Sequence, residues 1–155
     1  MISSATLRIN FVGMKHPNSI SQINVKREKE MILLFNRAKR MVQWPTTTTK
    51  ICEYVAQMPT SCYYLSDITA YRYVLRRLKG EKPRFGKRQR GKQSLCEAFF
   101  NDFDEVRRME KHKDKSISHI VDITLERPAP NLGLTPKYIQ EKISAYFNKR
   151  KRNTK

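Results

Sequence analysis

Apolar residues recur at three- and four-residue steps in two long stretches of this chain. Met31, Leu34, Phe35, Ala38 and Val42 share one helical face, which predicts a helix over 25–42. Leu95, Phe99, Phe103, Val106 and Met109 do the same and predict a second over 94–111. Trp44-Pro45 is expected to end the first, because proline disfavours helical geometry in the residue before it. A short apolar stripe follows each helix. Ile51, Tyr54, Val55 and Met58 read as a short helix led by the hydroxyls of Thr46 to Thr49. Its counterpart over 117–125 is rich in β-branched residues, so it reads as helix by analogy, with strand as the open alternative.

Each short element runs into a proline-bounded extended linker, Cys62-Tyr63-Tyr64-Leu65 in one case and Asn131-Leu132-Gly133-Leu134 in the other. A third helix then begins, with Ser66 or Thr135 placed to cap it and Pro136 suited to a first helical position. In the first copy, Tyr71, Val74, Leu75 and Leu78 form the expected buried stripe, and Gly80 closes the helix. The two series superimpose at an offset of 69 residues, which aligns Pro59 with Pro128, Leu65 with Leu134, and Ala70, Val74 and Leu78 with Ile139, Ile143 and Phe147. Outside this pattern, residues 1–24 read as a loosely held arm with one candidate strand over 7–12. Residues 81–93 read as an exposed connector. The expected architecture is therefore mostly α: an arm (1–24), a helical unit (25–80), a basic linker (81–93), a second helical unit (94–148) and a basic tail (149–155). Helix two, linker and helix three make a variant helix-turn-helix at best. The seven residues from Pro59 to Leu65 exceed the usual turn of about three or four.

Charge changes the picture more than any motif. The chain carries 32 Lys and Arg against 14 Asp and Glu, a net charge of +18, and each half contributes +9. A surface so biased repels itself, which calls for a polyanionic partner. Nucleic acid is the leading candidate, with an acidic protein as the alternative. A membrane role is not expected: the longest apolar run, Met31 to Phe35, is far too short to span a bilayer, and the N-terminus lacks the pattern of a secretory signal. Three cysteines without an export signal read as reduced thiols packed as small hydrophobes, so the expected setting is the cytoplasm of a bacterial host or a virion.

Catalytic chemistry finds little support. His16, His112, His119, Cys52, Cys62 and Cys96 show no paired spacing of a structural zinc site. Asp102, Glu105 and Arg108 read as a solvated helix face, and no phosphate-binding loop or nucleophile elbow is present. The expectation is a non-enzymatic protein without metal or cofactor.

The basic residues are more specific. Arg72, Arg76 and Lys79 follow i, i+4, i+7 spacing with Arg77 beside them, a row opposite the apolar stripe that suits phosphate contact. The row runs into Arg84, Lys87, Arg88, Arg90 and Lys92, interleaved with Phe85 and two glycines. Such segments bind phosphate bidentately, stack on bases, and commonly order on nucleic acid. Lys149, Arg150, Lys151 and Arg152 add a second basic cluster. The run Pro59-Thr60-Ser61-Cys62-Tyr63-Tyr64-Leu65-Ser66, followed by a helix and a Lys-Gly stop, resembles small basic proteins of gut anaerobic bacteria and their phages or mobile elements. In that family an arginine usually stands where Cys62 does here. The resemblance implies a setting without an activity.

Overall fold

The structure, a computed structural model, describes residues 19–43 and 46–153. Six α-helices account for most of these: α1 (Ile20–Met41), α2 (Thr48–Val55), α3 (Asp67–Leu78), α4 (Arg90–Arg108), α5 (Ile117–Leu125) and α6 (Pro136–Asn153). Single 3₁₀ turns lie at Lys87–Gln89 and Glu110–His112. The fold is mostly α, as the periodicity predicts. The candidate strand over 7–12 and the Trp44-Pro45 stop lie outside the described residues.

Hydroxyl caps set most of the helix starts. The oxygens of Ser19, Thr47, Ser66, Ser116 and Thr135 accept from the amides of Gln22, Lys50, Thr69, His119 and Tyr138 at 3.1–3.3 Å. Thr47 and Ser116, and likewise Ser66 and Thr135, stand 69 residues apart. The segment 117–125 is a helix: Ser116 caps it, and a helix lets its β-branched residues Ile120 and Val121 face the core together. At the other end of α3, Gly80 takes φ +81°, and the amide of Glu81 returns to the Arg76 carbonyl at 2.9 Å. This is the left-handed stop that glycine adopts without strain.

Several boundaries and faces differ from the sequence reading. α1 begins at Ile20, inside the expected arm, because Ser19 supplies its cap. α4 begins at Arg90, so the last four residues of the expected linker are helical. The basic tail continues α6 to Asn153, since Lys and Arg are good helix formers and their charges suit a helix C-terminus. On α2 the buried residues are Ile51, Cys52 and Val55, while Tyr54 is exposed.

The interior forms two apolar clusters that exchange helices. One contains Phe99, Phe103 and Val106 of α4, Ile120, Val121 and Leu125 of α5, and Ala70, Tyr73 and Val74 of α3. The other contains Met31, Leu34, Phe35 and Ala38 of α1, Ile51 and Val55 of α2, and Ile139 and Ile143 of α6. Each cluster thus takes its first two helices from one half of the chain and its third from the other. The expected units 25–80 and 94–148 are each split between clusters. The physical cause is the linker: seven extended residues can span up to about 23 Å, enough to carry α3 and α6 across. In a helix-turn-helix consecutive helices pack on each other. Here α2 packs chiefly on α6 and α3 on α5 and α4. The linkers meet at Thr60 and Ala129, which form an antiparallel bridge.

Candidate nucleic-acid interface

Helix α3 positions the first group of cations. Ala70, Tyr73 and Val74 are buried against α4 and α5, so the opposite side of the helix faces solvent. At 3.6 residues per turn, Arg72, Arg76 and Lys79 fall within an arc of about 60° on the side away from the buried residues. All three are exposed. Arg77 differs from them. It lies on the core side, half-buried, with its guanidinium 5.1 Å from the centre of the Phe100 ring on α4. That contact fixes Arg77 as part of the α3–α4 packing. The expected stripe of Tyr71, Val74, Leu75 and Leu78 also shifts. Tyr71 and Leu78 are exposed and, with exposed Ile68 and half-buried Leu75, form a second apolar strip beside the cation row.

The connector from α3 to α4 is partly ordered by the core. Phe85 is half-buried and packs on Tyr73, with ring centres 6.3 Å apart. Arg84 and Lys87 are exposed, Arg88 lies in the 3₁₀ turn, and Arg90 is exposed at the start of α4. Lys92, one turn into α4, is half-buried and lines a cavity. Gly91 lets the second linker approach the first turn of α4 closely. A Cβ there would lie 2.8 Å from the backbone oxygen of Gly133, so the second linker rests directly on this first turn. Lys149, Arg150, Lys151 and Arg152 are exposed at the far end of α6, which belongs to the other cluster. The structure therefore joins the α3 row and the connector in one continuous stretch and places the α6 group on a helix of the second cluster.

Beneath this surface the tyrosine pair ties the halves together. Successive residues of an extended chain point to opposite faces. Tyr64 donates to Glu30 of α1, and Tyr63 donates to Asp102 of α4. Glu30 also accepts from the amide and hydroxyl of Ser61, at 2.7 and 2.9 Å, and is itself buried. Asp102, expected on a solvated face, is instead anchored by Tyr63 and by Arg127 at 3.5 Å. Burial, reinforced by these carboxylates, raises both phenols far above their ordinary range. The cysteines are buried and unpaired, and burial pushes the Cys62 and Cys96 thiols up to about 11. They are inert packing atoms at neutral pH. Among the described residues, no group of three or more His, Cys, Asp or Glu is placed to hold a metal, and no helix is long and apolar enough to cross a membrane.

The sequence reading passed over Arg27 of α1. It is half-buried and lines the same cavity as Lys92. The i, i+4 pattern of α1 marks only its apolar face, and nothing in the sequence shows that α1 and α4 approach at this point.

No protein-family model, curated protein or solved structure matches this chain.

Proposed function

We propose that this chain is a non-catalytic nucleic-acid-binding protein of a phage or mobile element, contacting phosphates through the α3 row, the connector and the α6 end. The observation that carries the reading is the division of α3. One side is fixed in the core, and the other offers Arg72, Arg76 and Lys79 without an acid partner among the described residues. Such a rigid cationic row can lie along a phosphate backbone without first being ordered. The net charge of +18 acts in the same direction, because it raises the local concentration of polyanions around the whole molecule. A salt-titrated binding assay with duplex DNA, single-stranded DNA and structured RNA tests it. If six phosphates of a duplex are contacted, log K should fall against log salt with a slope of about −5. A flat response between low and physiological salt would remove the reading.

The exposed strip of Ile68, Tyr71 and Leu78 favours a second reading. An apolar strip bordered by arginines is complementary to an amphipathic acidic protein segment, as in an assembly or accessory subunit. In that case purified protein carries no nucleic acid, seen as an ordinary 260/280 nm absorbance ratio. Tyr71→Ser with Leu78→Ser would then abolish partner capture while leaving nucleic-acid affinity unchanged.

A further inference from the structure

We propose that the cleft between the N-terminal ends of α1 and α4 is a binding site for a phosphate group, held by Arg27 and Lys92. The inference concerns a defined pocket and does not depend on the surface reading above. The cleft encloses about 200 Å³ and is lined by Arg27 and Asn24 from α1, Ser66 and Thr69 at the start of α3, and Lys92 from α4. Ile23, Leu95 and Leu132 form its apolar walls. Both cations are half-buried, and among the described residues neither lies within ion-pair distance of a carboxylate.

Two cations held partly out of water lose hydration, a cost that an anion bound in the cleft offsets. Arg27 donates to Asn24 Oδ1 at 3.1 Å. A guanidinium carries five N–H donors in a planar fork, so several are left for a ligand. Burial lowers its pKa, with Tyr138, Tyr64 and adjacent Glu28 acting against that shift; the group stays charged at neutral pH. Glu28 lines a second, smaller cavity with Arg27 and Lys142, not the cleft itself. The Thr69 hydroxyl, which accepts from the Ser66 hydroxyl at 2.6 Å, keeps its own proton free to donate to a further phosphate oxygen. Size selects the ligand. Drug-sized ligands occupy roughly 300–1,000 Å³, so this cleft suits a single phosphate better than a whole nucleotide. The shared chemistry is a phosphate monoester or free phosphate, and a strand end could supply the former.

The test uses the intact protein and inorganic phosphate, with chloride at matched ionic strength as control. Amide shifts of Thr69, Gly133 and Lys92 follow the titration. Saturable shifts confined to these residues are expected, with affinity at least tenfold weaker in Arg27→Gln and in Lys92→Gln. Circular dichroism confirms that each variant is folded, and Lys92→Gln, on an outer helical turn, keeps the test available if Arg27→Gln is not. In a second arm, 5′-phosphorylated and 5′-hydroxyl oligonucleotides of equal length are compared. A preference for the phosphorylated strand that Lys92→Gln removes assigns the strand end as the source. Equal affinities with phosphate binding intact assign free phosphate. Shifts equal to those in chloride, or variants that bind phosphate like the parent, overturn the site. A steep salt slope in that case leaves the surface reading standing.

Discussion

Thr60 and Ala129 stand 69 residues apart and exchange both backbone hydrogen bonds, at 2.9 and 3.1 Å. The two positions that align in sequence therefore meet in space, each following the proline of its own linker. From this crossing α3 passes to α4 and α5, and α6 passes to α1 and α2. Neither half can close its own core. Fragments 1–82 and 83–155, expressed separately, should each show weak helical circular dichroism and no cooperative unfolding. Mixed in equal amounts, they should recover the spectrum of the intact chain. Two fragments that fold independently would show that the exchange is not required.

The tyrosine pair gives an asymmetric prediction. Glu30 is 3 % exposed, and Tyr64→Phe removes one of its donors where water cannot replace it. The expected cost is about 1–3 kcal/mol. Asp102 keeps Arg127 and is 28 % exposed, so Tyr63→Phe should cost less than about 1 kcal/mol. Urea unfolding of the two variants, with unchanged slope, measures the difference. Equal losses would mean that both carboxylates are equally sealed.

Glycine substitutions probe the contact of the second linker with α4. At Gly91 an added Cβ meets the backbone of Gly133 and Leu134 at 2.8–3.0 Å, and backbone cannot yield cheaply. Gly91→Ala should destabilise by about 1–3 kcal/mol. At Gly86, φ is −69°, and an added Cβ would meet no described residue within 4 Å. Gly86→Ala should be neutral or stabilise by up to about 1 kcal/mol through the unfolded state. A lowered thermal midpoint for Gly91→Ala and an unchanged or raised one for Gly86→Ala are the expected result.

Local pattern made the helices legible and left their assembly hidden. The hydroxyls at Ser66 and Thr135 marked true starts because a cap is a contact within four residues. The stripe on α3 was misassigned because Tyr71 and Leu78 lie on the same side as Leu75, and only the position of α4 shows that Tyr73 is the buried aromatic. In the sequence the motif at 59–66 stands out only as a family resemblance. In the fold, Tyr63, Tyr64 and Ser66 are joints: a bond to α4, a bond to α1 and a helix cap. The spacing of the cation row is legible in the sequence, whereas the placement of Arg27 and Lys92 in one cleft needs the tertiary structure.

His112 supplies a pH signature. His112 is 7 % exposed, and its Nδ1 has no hydrogen-bond partner among the described residues. Burial, followed by Lys115, Lys111 and His119, lowers its pKa below the ordinary histidine value. The unfolded chain then takes up the proton first. Stability should hold above about pH 6.5 and fall as the pH drops below it towards the lower folded value. His112→Gln should remove this component. Urea midpoints at pH 8, 7, 6 and 5 should therefore converge between parent and variant at low pH. Curves that stay parallel would mean that His112 titrates as in solution.

The two basic groups can be separated because they lie on helices of different clusters. Replacing Arg72, Arg76 and Lys79 by serine touches only the exposed side of α3, away from Ala70, Tyr73 and Val74. Arg72 and Arg76 are exposed inside the helix, and Lys79, its C-cap residue, caps through its backbone N–H alone, so each substitution should change stability by no more than about 0.5 kcal/mol. Serine is a weaker helix former than arginine or lysine, which sets the sign of that small loss. If the row contacts duplex phosphates, the salt slope should become shallower by up to about 2.7 units, at 0.9 per lost contact. The matching replacement of Lys149, Arg150, Lys151 and Arg152 removes four charges from the end of α6 and could flatten the slope by up to about 3.6 units. A phosphate-tracking surface that includes both groups predicts losses in both variants, with the combined variant close to the sum. A loss confined to the α3 variant would place the interface on α3 and the connector. An unchanged slope in both would move the contact to the connector residues Arg84, Lys87, Arg88 and Arg90 or to the cations of α1.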